Sequence, residues 1–67
     1  MSLTTADVGA RVVVRRRLPE GGSGDLLGEL VRWDGEVVVR DRAGLLHTVA
    51  RADVVAAKRV PPPPARR

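Results

Sequence analysis

The sequence predicts an all-β fold, a small five-stranded SH3-like barrel with a short 3₁₀ turn before its last strand and a polyproline tail. Two observations predict it: five short Val-, Leu- and Arg-rich stretches separated by breaker residues, and the run Pro61-Pro62-Pro63-Pro64 behind the last stretch. Short strands at near-regular spacing with turns between them indicate a barrel or sandwich. Five strands in so short a chain narrow that to the SH3-like or OB type. An OB barrel usually runs longer and often carries a helix between its third and fourth strands, for which this chain has no room. The SH3-like layout expects a long first loop, two tight hairpins and a 3₁₀ turn before the last strand. All four signals occur in that order.

Three regions follow: an N-terminal arm at 1–6, the barrel at 7–60 and a proline-rich linker or tail at 61–67. The arm reads as a single turn that Thr5 or Asp7 can cap. The first strand spans Arg11 to Leu18, with Val12 and Val14 on one face and Val13 and Arg15 on the other. Pro19 to Asp25 is a loop of breakers whose glycines make it a flexible connection rather than a tight hairpin. The second strand runs from Leu26 to Trp33, and Gly28 within it marks a bend or bulge. Asp34-Gly35 is a strong hairpin signal, because that turn calls for positive φ. The third strand is Glu36 to Asp41, followed by an Arg42-Ala43-Gly44 turn and a fourth strand from Leu45 to Ala50. Arg51-Ala52-Asp53 has room only for a 3₁₀ turn before the fifth strand, Val54 to Val60. A helix over Ala50 to Lys58 is disfavoured by β-branched Val54 and Val55 and by Pro61 behind them. The prolines adopt polyproline II and act as a semi-rigid spacer.

Size limits what such a barrel can be. At 67 residues the chain is one domain at most, and it buries only about 60% of its unfolded surface. With no Cys and a single His, neither a disulfide framework nor a clustered zinc site reinforces it, and no cofactor is expected. The N-terminus has neither the basic start nor the apolar core of a signal peptide. No stretch approaches the roughly 20 apolar residues of a membrane span, so no membrane partner and a cytoplasmic location are expected.

The net charge of +4 suggests nucleic acid, but its distribution does not. Residues 1–57 hold eight arginines against eight acidic residues, so the excess lies in Lys58, Arg59, Arg66 and Arg67. A polyanion-binding barrel carries its own basic face. Arg15, Arg17, Arg32, Arg40 and Arg42, with Trp33, are the candidate interaction surface. Arg15-Arg16-Arg17 cannot form one patch unaided, since successive strand residues point to opposite faces. Trp33, the only aromatic, is expected chiefly as a core or rim anchor. One ring builds neither a polyproline groove nor a methyl-lysine cage. Gly22-Ser23-Gly24 followed by Gly28 fails as a phosphate fingerprint, because it leads into a strand and not a helix N-terminus. Ser23 has no catalytic base at hand, since His47 is solitary and expected on a sheet surface.

Asp7-Val8-Gly9-Ala10-Arg11-Val12-Val13-Val14-Arg15, Asp25 to Leu30, Trp33-Asp34-Gly35 and Ala52 to Lys58 before the prolines resemble the N-terminal SH3-like domain of actinobacterial GNAT-family N-acetyltransferases. That resemblance covers nearly all of residues 7–64 and rests on turns and core positions. It implies a barrel, a proline-rich linker and then a catalytic domain, the last sometimes labelled histone-acetyltransferase-like. The acetyl-CoA loop of that family is Arg/Gln-x-x-Gly-x-Gly/Ala between a strand and a helix. The nearest string, Arg32 to Val37, lacks the final small residue and falls in a hairpin, so no catalytic or cofactor residue carries over. The resulting expectation is a non-catalytic accessory module, not itself an enzyme, whose partner is an acetyltransferase domain in cis or another protein. The alternative is a free-standing nucleic-acid-binding barrel using Arg11, Arg15, Arg17, Arg32, Arg40 and the basic tail, binding weakly and with strong salt dependence.

Overall fold

The computed structural model describes residues 3–61. Expectations for Met1, Ser2 and the segment from Pro62 to Arg67, including the polyproline II spacer, lie outside the described residues. The elements are a 3₁₀ turn η1 (Thr5–Asp7), β1 (Arg11–Arg17), β2 (Ser23–Trp33), β3 (Glu36–Arg40), β4 (Leu46–Ala50), a second 3₁₀ turn η2 (Arg51–Asp53) and β5 (Val54–Arg59). All strands are antiparallel and form one sheet in the order β4-β3-β2-β1-β5. Three successive hairpins build it, and η2 carries the chain back so that β5 pairs with β1. The expected all-β architecture and the 3₁₀ turn before the last strand are both present.

Alternation dictates which face is buried. Val12, Val14, Leu30, Val37 and Val39 are fully buried, and Leu26, Trp33, Val49 and Ala57 complete the inward set. Two bulges reset that alternation. In β2 the register passes from Leu30↔Val39 to Arg32↔Val38, leaving Val31 as the extra residue. Without it, strict alternation after Leu30 would turn Arg32 inward and Trp33 outward. In β5 the register passes from Ala56 to Val54 against Arg15 and Arg16, so Val55 is extra, and Val54 and Ala57 both face the core.

Several local expectations are corrected. Leu18, Asp41, Leu45 and Val60 fall outside the strands, whereas β2 begins three residues early at Ser23. The flexible loop thereby shrinks to Leu18–Gly22, closed by the Leu18 N–H donating to the Gly22 carbonyl at 3.1 Å. The bulge of β2 lies at Val31 and not at Gly28. Gly28 instead serves a close approach: a Cβ there would stand 2.1 Å from the Arg40 carbonyl oxygen and 3.1 Å from Val39 Cγ1. The Asp34-Gly35 hairpin forms without positive φ at either residue. Asp34 Oδ1 closes it by accepting from the Glu36 N–H at 2.9 Å.

The N-terminal turn is capped by Thr4, with Asp7 as its reciprocal partner, and not by Thr5. Thr4 Oγ1 accepts from the Ala6 N–H, and Asp7 Oδ2 accepts from the Thr4 N–H at 2.8 Å. Such a reciprocal box satisfies donors that the first turn leaves unpaired. Leu3, just ahead of the cap, is buried in the core.

Gly28→Ala is expected to destabilise the barrel by about 2–3 kcal/mol, since carbonyl and Cβ cannot share that space. For a domain of this size that is a fall in Tm on the order of 10–20 °C, read by circular dichroism. Gly35→Ala, with ordinary φ and no atom within 4 Å of the new methyl, is the matched control and should shift stability by less than about 0.5 kcal/mol. Equal Tm values for the two variants would show that the Gly28 approach is not limiting.

Candidate functional site

The candidate surface is the convex, outward face of the sheet. Cross-strand register sets its charges in rows: Arg11 opposes Glu29, Glu29 opposes Arg40, and Arg15 opposes Asp25. Side chains use these neighbours. Arg40 Nη1 donates to Glu29 Oε1 at 3.1 Å, and Arg15 Nε donates to Asp25 Oδ1 at 3.1 Å. Arg32 Nε donates to Asp34 Oδ2 at 2.7 Å, with Glu36 Oε1 3.6 Å from its Nη1. Each of these pairs is about half exposed, so solvent screening leaves it little weight in stability, but it neutralises the cation locally.

The structure therefore splits the predicted site. Arg15, Arg32 and Arg40 are ion-paired, while Arg17 and Arg42 are exposed without an ion pair among the described residues. Trp33 is 8% exposed and packs in the core beneath η2, the anchor position expected of it. The Arg51 guanidinium lies over its ring, 4.7 Å from the centroid. The Arg51 N–H also donates to the Gly35 carbonyl at 3.0 Å, so η2 is fastened to the β2–β3 turn from two sides.

Two carboxylates outside the predicted set organise the ends of the sheet. Asp41 Oδ1 accepts from the Ala43 and Leu45 N–H groups, and Oδ2 accepts from His47 Nε2 at 2.7 Å. One side chain thus holds the whole β3–β4 turn, whose Gly44 takes φ of 88°. The His47 bond, then the Leu45 N–H, hold the Asp41 carboxyl below its ordinary 3.8. At the other end Asp7 Oδ1 accepts from Arg59 Nε at 3.0 Å, joining the N-terminal turn to the last residue of β5. Asp7 is likewise lowered, first by the Thr4 N–H and then by Arg59. Asp34 is lowered by the Glu36 N–H and by Arg32, and Arg32 is raised in turn, chiefly by its bond to Asp34.

Among the described residues no three His, Asp or Glu side chains gather to hold a metal ion, and no helix is long and apolar enough to cross a membrane. The sequence signal for the Asp7 box was the Thr4-x-x-Asp7 spacing with Leu3 ahead of it. The Asp7–Arg59 and Asp41–His47 bonds had no comparable signal.

A family model described as the Rv0428c N-terminal Sm-like domain matches residues 6–58. The chain belongs to this Sm-like domain family. The matched segment begins inside η1 and ends one residue before the end of β5, so it takes in nearly the whole sheet. No curated protein and no solved structure matches the chain.

Three depressed carboxylates make stability acid-sensitive. Their folded pKa values lie below the unfolded ones, so the unfolded state binds more protons at low pH and stability rises with pH. The contribution is complete above about pH 4 and fades as pH falls through the lowered values. Urea midpoints should thus be level from pH 5 to 7 and drop below pH 4. Asp41→Asn should lower the midpoint at pH 7 and flatten the acid limb. A variant whose acid limb matches the parent would remove Asp41 from this account.

Proposed function

We propose that this chain is a non-catalytic accessory module that positions or regulates a GNAT-type N-acetyltransferase domain, carried in cis or by a partner protein. One observation carries the reading: the family matched over residues 6–58 is described as an N-terminal domain, which is the place of a module ahead of a larger body. Local chemistry supports it. The hairpin at Arg32–Val37 offers no helix N-terminus to a pyrophosphate. Reaction steps are assigned to no residue of this chain. The competing nucleic-acid reading has lost ground, because three of its five barrel arginines already answer a carboxylate.

The test is made on the native polypeptide that bears this sequence. A mass well above 7.2 kDa, with acetyl-CoA turnover that changes in kcat or KM when residues 7–60 are deleted, is the expected result. Turnover by the 67-residue chain alone, or a native mass of 7.2 kDa, overturns the proposal. Binding to RNA or DNA is expected to be undetectable at 50 mM salt. A complex that weakens steeply with added salt would move the assignment to the nucleic-acid reading.

A further inference from the structure

At the C-terminal end of β1 the inward positions run Val12, Val14 and then Arg16. Arg16 is half-buried, and its Nε has neither solvent contact nor a hydrogen-bond partner among the described residues. A buried donor on a cation is expensive to leave unanswered. Arg16 lines a cleft of about 430 Å³ with Leu18, Thr48, Val49, Ala50 and Asp53. Asp53 makes no ion pair with it among the described residues. The opposite wall of the cleft is the second half of β4.

That strand is an edge, paired only with β3 among the described residues, so one row of its backbone groups is unanswered by the sheet. The two edges of the sheet differ. β5 carries Lys58 and Arg59, a bulge at Val55 and Pro61 just beyond, all devices that block strand addition. β4 carries no Lys, Arg, Pro or bulge, and the chain enters it through Leu45 and Leu46, 62% and 58% exposed. Such an unguarded strand beside a guanidinium whose buried Nε is unpaired has the make-up of a β-augmentation site.

We infer that the free edge of β4 docks an extended polypeptide segment of a partner that carries an acidic side chain, whose carboxylate enters the cleft and accepts from Arg16. Backbone pairing along Leu46–Ala50 supplies affinity, and the carboxylate sets the register. A second copy of this chain is a poor occupant. Neither β4 nor β5 holds an acidic residue to reach Arg16, and β5 would bring Lys58 and Arg59 toward it.

The test titrates the ¹⁵N-labelled chain with an eight-residue probe of alternating threonine and valine bearing one central glutamate. Amide shifts are expected along Leu46–Ala50, with a shift of the Arg16 Nε signal and none along Val54–Arg59. A probe with glutamine in place of glutamate should bind about tenfold more weakly, as should the original probe to Arg16→Met. If Arg16→Met loses its folded spectrum, the glutamine probe against the unaltered chain decides alone. No binding at millimolar probe, equal affinity for the two probes, or shifts confined to β5 would each overturn the inference. So would sedimentation showing that the chain closes this edge with its own copy.

Discussion

Everything in this domain depends on the missing side chain at Gly28. A core made of valines, three leucines, one alanine and one tryptophan is small, and a flat sheet could not enclose it. Where β3 passes Gly28, the Arg40 carbonyl oxygen stands 2.1 Å from where a Cβ of residue 28 would be. β1 lies on the other side of the same position, through the Val12↔Gly28 pairing. Any side chain at 28 would push β3 outward, and Val37 and Val39 would follow. Gly28 costs some strand propensity in return for curvature, a trade common where one backbone crosses close to another.

Curvature alone does not place the right residues inside, and the two bulges complete the arrangement. Their signature was present in the sequence as apolar residues three apart, Leu30 with Trp33 and Val54 with Ala57, where alternation allows only even separations. In the sequence alone, Gly28 stands out as the mark of a bend or a bulge in β2. Glycine signals backbone freedom without saying what the freedom is for: a bulge and a close approach look alike until the neighbouring strand is in place. The hairpin at Asp34-Gly35 has the same lesson. Its residues are those of a positive-φ turn, yet the carboxylate of Asp34 supplies an acceptor that lets the chain reverse with ordinary φ. Element order and strand identity were legible because periodicity is local. The N-terminal anchor was less so, since the value of Leu3 lies in a core assembled from residues far along the chain.

The candidate surface was legible only as a list of cations. Which arginines are neutralised is decided by register, and register is a property of strand pairs. Arg15 meets Asp25 and Arg40 meets Glu29 because those residues face each other across ladders on one face of the sheet. A run such as Arg15-Arg16-Arg17 therefore divides: Arg15 is paired, Arg17 is exposed, and Arg16 turns inward. The family assignment agrees with the architecture and leaves the chemistry to be read from these placements.

Arg16 is the place where the fold contradicts its own pattern. An apolar residue there would extend the Val12–Val14 stripe and fill the cleft, and volume-matched burial generally does as well as or better than a buried charge for stability. Arg15, Arg32 and Arg40 on the outer face are answered by carboxylates, whereas the buried Nε of the inward Arg16 has no partner among the described residues. A guanidinium Nε left buried and unpaired beside the free edge of β4 contributes little to folding. It makes physical sense if something that is not part of the barrel completes it. The same logic explains why β5 is guarded: with two open edges on so small a sheet, only one can be left available without inviting indiscriminate strand addition.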